Sequence, residues 1–155
     1  MSDKKMSLVQ LIQLLNSLLV LDAGTVMLTI YNTLVSWVHR TYKNAGECQI
    51  AYDKFINQTH TVIHREPLYH SRDKVPSFNH IETKDSQEIA AELSSLLDQL
   101  PPENAIEFLS ELTGAWCLSC PKEKVSQYYK DENISDIKLA ETLLLWLLRP
   151  FDYFH

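Results

Sequence analysis

Two pairs of residues in this 155-residue sequence carry metal-binding chemistry. His60 and His64 stand four apart, and Cys117 and Cys120 form a Cys-x-x-Cys. Imidazole nitrogen and thiolate sulfur are the preferred ligands of zinc, and imidazoles at i and i+4 share one helix face. The sequence limits what such a site could do. A zinc protease needs a glutamate directly after the first histidine, and this chain has Thr61 there. The Glu-x-x-His pair of a di-iron bundle is not written beside these histidines. The two pairs are also far apart in sequence, unlike the close-set ligands of zinc modules. The expectation is therefore no cofactor and no stoichiometric metal. A metal- or thiol-dependent protein using His60, His64, Cys117 and Cys120, with zinc as the cofactor, is the alternative.

The cysteines sit in Trp116-Cys117-Leu118-Ser119-Cys120-Pro121. These six residues resemble the tryptophan-flanked Cys-x-x-Cys of thioredoxin-type oxidoreductases. That resemblance implies a reactive first cysteine at a helix N-terminus, after a strand. The flanking residues argue otherwise. Ala105, Phe108, Leu109, Leu112, Ala115 and Trp116 repeat at helical spacing, which puts the motif at the end of a helix. There the negative end of the helix dipole opposes a thiolate. Packing of Trp116 and the cysteines into a core is the plainer reading.

Other reactive arrangements are thin. Glycine is the reason: there are 3 in the chain, against about eleven at average usage. The phosphate-cradling and nucleophile-elbow motifs, which need glycine, are absent. No Ser/His/Asp or Cys/His constellation is marked by sequence. A weaker third possibility is a small helical enzyme using polar groups between residues 67 and 84. Glu103, Glu107 and Glu111 recur every four residues and form either a presented acidic row or an ordinary wet face. The Leu-x-x-Leu-Leu pattern occurs four times, as it must in leucine-rich helices, and reads as core or interface.

These residues need helices to position them, and scarce glycine with recurrent 3.6-residue periodicity predicts helices throughout. The spacing predicts helices over 7–21, 25–45, 47–65, 85–100 and 102–120, a short one near 122–129, and a last one over 135–149. Gly46 is expected to stop the second, Pro101-Pro102 to separate the fourth from the fifth, and Pro150 to end the last. Asp85 with Glu88 outlines a capping box. Residues 67–84 are polar and aperiodic and read as a loop. The fold class is all-α: a single-domain bundle of six or seven helices over residues 1–155, with that internal loop.

The first helix and the run Leu143–Leu148 are apolar over more than half their circumference. A small bundle can surround one such helix more easily than two, so an interface is expected, with Leu14 and Leu145 as its markers. Formal net charge is −6, and residues 82–141 hold most of the acid, which disfavours duplex nucleic acid. A basic partner surface would suit Glu103, Glu107 and Glu111. No stretch reaches the roughly 20 apolar residues of a membrane span. Lys4 and Lys5 before an apolar run outline a leader peptide, but Gln10, Gln13, Asn16 and Ser17 interrupt it as an amphipathic helix would. Three cysteines, an odd number, suit a reducing compartment such as the cytoplasm. The expected function is a non-catalytic interaction protein (an adaptor, regulator or accessory subunit) that binds a protein partner or a second copy of itself.

Overall fold

A computed structural model describes residues 2–65 and 84–154 of the chain. Six α-helices are formed: α1 (Ser2–Val20), α2 (Ala23–Thr41), α3 (Ala45–His64), α4 (Ser86–Gln99), α5 (Pro102–Ser119) and α6 (Asp136–Phe154). A 3-10 helix, Lys122–Tyr128, lies between α5 and α6. Among the described residues there is no strand, and the all-α bundle follows as the sequence predicts. The expected loop over 67–84 lies outside the described residues except for Lys84, whose ammonium bonds Glu92 at 2.8 Å.

Local chemistry sets most helix starts. The side chains of Asp22, Asn44 and Asp85 accept from the backbone N–H groups of Thr25, Glu47 and Glu88, closing the N-termini of α2, α3 and α4. The Thr25 hydroxyl and N–H together hold the Asp22 carboxyl below its ordinary range. Pro102 occupies the first turn of α5, where a missing N–H costs nothing. Two expected stops are overturned. Gly46 does not end α2, which stops at Thr41; it lies inside the first turn of α3. Pro150 does not end α6, which continues to Phe154. The reason is tertiary. Phe151, one residue beyond the proline, packs edge-on against Tyr31 of α2 (ring centroids 5.0 Å apart) and Tyr52 of α3 (4.8 Å). These contacts hold the last turn despite the backbone bond that proline removes.

Helix α5 is the axis of the bundle, and the other five α-helices all pack on it. From Ala105 to Cys120 only Glu107 is exposed, while Glu111 and Leu118 are partly so. The side chains that face its neighbours include Ser110, Thr113, Gly114, Ala115, Cys117 and Ser119, all buried. Small residues let a surrounding helix approach on every side. At Gly114 the approach is closest, because a Cβ there would stand 2.5 Å from Cγ1 of Val62 on α3. The buried Ser110 hydroxyl crosses the same interface and donates to the Phe55 carbonyl at 3.4 Å.

Neither of the two most apolar helices, α1 and α6, is the enclosed centre of the bundle. Leu11, Leu14, Leu15 and Leu18 of α1 face the core, while Leu8, Val9, Ile12 and Val20 are exposed. In α6, Leu143, Leu144 and Leu147 are buried, but Leu145 and Trp146 are exposed. Leu14, expected at an interface, is 2% exposed and belongs to the core of this chain. Among the described residues no helix is long and apolar enough to cross a membrane.

Candidate functional site

The two histidines lie on the last turns of α3 and share a face, as their spacing requires. Their rings are 14° from parallel with centroids 6.3 Å apart. That separation is close to the roughly 6 Å rise of four helical residues. His60 is half-buried and His64 is exposed at the helix end. Helix α6 brings a third group to this face: Oε1 of Glu141 lies 3.1 Å from Nε2 of His64. The next residue, Arg65, turns to α5, where its guanidinium forks onto both carboxylate oxygens of Glu111, one of them at 2.6 Å. Planar two-point pairing of this kind fixes the carboxylate as well as neutralising it.

The pairing breaks the expected acidic row. Glu103 and Glu107 are exposed on α5, but Glu111 is mostly buried and engaged by Arg65. Only the first two carboxylates present charge to solvent.

Cys117 and Cys120 are thiols buried at 0% and 1% exposure. Their motif closes the C-terminus of α5, where the Cys120 N–H donates to the Trp116 carbonyl at 2.9 Å. The local arrangement is therefore the helix end expected from periodicity, opposite to that of the oxidoreductases. The histidine and cysteine pairs are not brought together. Among the described residues no group of three or more His, Cys, Asp or Glu side chains is placed to hold a metal ion.

Sequence reasoning missed two features. One is Glu141, which reaches His64 from a distant helix and leaves no local signature. The other is an open cleft of about 530 Å³ between the end of α2 and the start of α3. His39, Arg40 and Lys43 line one part of it, and Tyr42, Cys48 and Tyr52 another. Arg40 is already engaged, by Asp98 of α4 at 3.1 Å and by the Ser36 hydroxyl. Burial pushes the Tyr52 hydroxyl up to about 12, so it stays protonated as a donor. His39 and Arg40 stand in the last turn of α2, where a cation also complements the helix dipole.

The exposed apolar residues form the remaining candidate. Val9, Ile12 and Val20 project from the solvent side of α1, and Leu8 from its edge. On α6, Leu145 is 66% exposed, the highest value among the large apolar side chains of the described residues. Its neighbour Trp146 is partly covered by Tyr128, edge-on at 5.2 Å, and by the Arg149 guanidinium, 4.5 Å from the ring centre. Leu145 has the stronger exposure and the simpler chemistry of the two. No family model, curated protein or solved structure matches this chain.

Proposed function

We propose that this chain is a non-catalytic interaction protein, an adaptor, regulator or accessory subunit, that works through protein–protein contacts. One observation carries the reading: apolar side chains remain wet on α1 after the core is complete. Leu8, Val9 and Ile12 are 51%, 55% and 40% exposed within five residues. Adjacent apolar exposure of this kind favours association, since covering it releases surface from water at about 25 cal/mol per Å². Leu145 adds a second apolar point on α6. The simplest partner is a second copy of the chain, because two-fold pairing covers one patch with the same patch. Glu103 and Glu107 would suit a basic rim on a different protein partner. The three thiols fit a reducing compartment, the cytoplasm being the simplest.

Light scattering at micromolar concentration tests the self-association. The expected mass is twice 17.9 kDa. Ile12→Glu and Leu145→Glu then report which helix is covered, by halving the mass while circular dichroism stays helical. A monomer at every concentration, with no binding of an apolar dye, would sink both the homodimer and the interface on which the reading rests.

A further inference from the structure

We infer that the cleft between the end of α2 and the start of α3 binds a small organic phosphate, its head group on the basic side and a flat apolar body over the tyrosines. The cleft holds about 530 Å³ and is open to solvent. That volume lies within the range of about 300–1,000 Å³ usual for small-molecule sites. Its charge is unlike that of the chain around it. Formal net charge is −6, yet no aspartate or glutamate lines the cleft. His39 and Arg40, at the end of α2, and Lys43, in the turn that follows, all do. A local excess of cations on an acidic protein draws small anions to that place. Three basic groups match a phosphate monoester, which carries about −1.5 to −2 charge and three acceptor oxygens, better than they match a carboxylate.

The basic groups are not equivalent. Arg40 gives one terminal nitrogen to the Ser36 hydroxyl and the other to Asp98. Asp98 offsets its charge, but a guanidinium has more N–H donors than these two bonds use, and the two partners hold it in place. Lys43 is exposed and, among the described residues, has no carboxylate partner. It supplies the uncompensated charge. The other side of the cleft is less polar and less wet. Tyr52 and Cys48 are 4% and 8% exposed, and Tyr42 is half-buried. Trp37 meets the Tyr42 ring edge-on at 5.9 Å, and Phe151 meets that of Tyr52 at 4.8 Å, so both tyrosines are set before a ligand arrives. The Cys48 thiol donates to the Tyr42 carbonyl at 3.9 Å and ties the two helices together there. Burial, with Glu103 and Glu47 nearby, raises the Tyr42 hydroxyl, and burial raises that of Tyr52, so both stay neutral phenols. Glu47 and Glu103 act on Tyr42 from outside the cleft lining, and their repulsion leaves Lys43 and Arg40 as the place for the head group.

This inference is independent of the proposed self-association, because no cleft residue belongs to the exposed apolar set of α1 or α6. The full chain, isotopically labelled, is titrated with phenyl phosphate at fixed ionic strength while backbone amide shifts are followed by NMR. Saturable shifts confined to residues 39–52 are expected, with a dissociation constant of about 1 mM or tighter. Inorganic phosphate lacks the body, and benzyl alcohol lacks the charge, so each should bind several-fold more weakly; benzoate should also be weaker. Lys43→Met should weaken phenyl phosphate about threefold to fivefold, the scale of an exposed ion pair. Ala45→Trp fills the cleft and should remove saturable binding. Lys138→Met makes the same charge change at the start of α6 and should leave the affinity as it is. Lys43, Ala45 and Lys138 are all exposed, and circular dichroism checks that each variant keeps the fold. Shifts that never saturate or scatter over the whole chain overturn the site, as does full affinity in Lys43→Met or Ala45→Trp. Equal affinity for benzyl alcohol, inorganic phosphate or benzoate overturns the assigned ligand class.

Discussion

Helices α1 and α5 are nearly equal in length, yet the less leucine-rich of the two is the one buried. Helix α1 holds six leucines and keeps a wet side. Helix α5 holds three, with serine, threonine, glycine and alanine between them, and is enclosed on almost all sides. Apolar content decides whether a helix has a core face. Girth decides whether it can have neighbours all round. Interaxial distances of about 8–10 Å on several sides at once require slim side chains somewhere in the circumference. A helix lined with leucine in every direction would push its neighbours apart. Of the buried hydroxyls of α5, that of Ser110 finds a carbonyl across the interface, whereas that of Thr113 has no hydrogen-bond partner among the described residues.

The contrast can be broken at α5 first. Trp116 is fully buried, and Trp116→Ala should cost about 3–5 kcal/mol, measured by urea unfolding. A cost below about 1 kcal/mol would mean that α5 is not the axis. The next test sets two positions of α1 against each other. Leu14→Ala should cost about 2–5 kcal/mol, and Ile12→Ala, two residues earlier, about 0.5 kcal/mol or less in the monomer. Equal costs would erase the distinction between the two sides of α1. Gly114→Ala should then cost about 1–3 kcal/mol, because the added methyl meets Val62 and the two helices must separate. Pairing it with Val62→Ala sharpens the test: the double variant should recover part of the loss, and strict additivity would place the strain elsewhere. The smallest effect belongs to the end of α1. The Lys124 ammonium, from the 3-10 helix, donates to the carbonyls of Leu19 at 2.6 Å and Val20 at 3.1 Å. Lys124→Met should cost about 0.3–1 kcal/mol, with the loss shrinking in high salt. Hydrogen exchange should localise it to the last turn of α1.

What could be read from the sequence follows the reach of each interaction. Asp85 and Glu88 are three residues apart, so the start of α4 was legible, and Pro101-Pro102 marked the break before α5 as plainly. The histidine face was legible because a helix repeats its own geometry. The position of Cys117 and Cys120 at a helix C-terminus was legible for the same reason. Pro150 was misread because Phe151 settles the matter through Tyr31 and Tyr52, on two other helices. Glu111 was misread because Arg65, far away in sequence, captures it. Glu141 could not be seen beside His64 until α6 was laid against α3. Counting apolar residues gave α1 and α6 too much weight, since hydropathy carries no information about width.

The central place of α5 has a consequence for the order of events as the chain is made. Four of the α-helices among the described residues precede it in the chain, so they are synthesised before their common support exists. The wedge that Val62 fills and the carbonyl that Ser110 seeks both wait for it. A chain released only as far as α4 would carry the apolar faces of α1, α2, α3 and α4 without the surface they share. Domains generally fold as units, and exposed apolar surface on an incomplete one invites aggregation. The nascent protein therefore stays vulnerable from the release of α4 until the helix ending at Ser119 has emerged, when closure becomes possible.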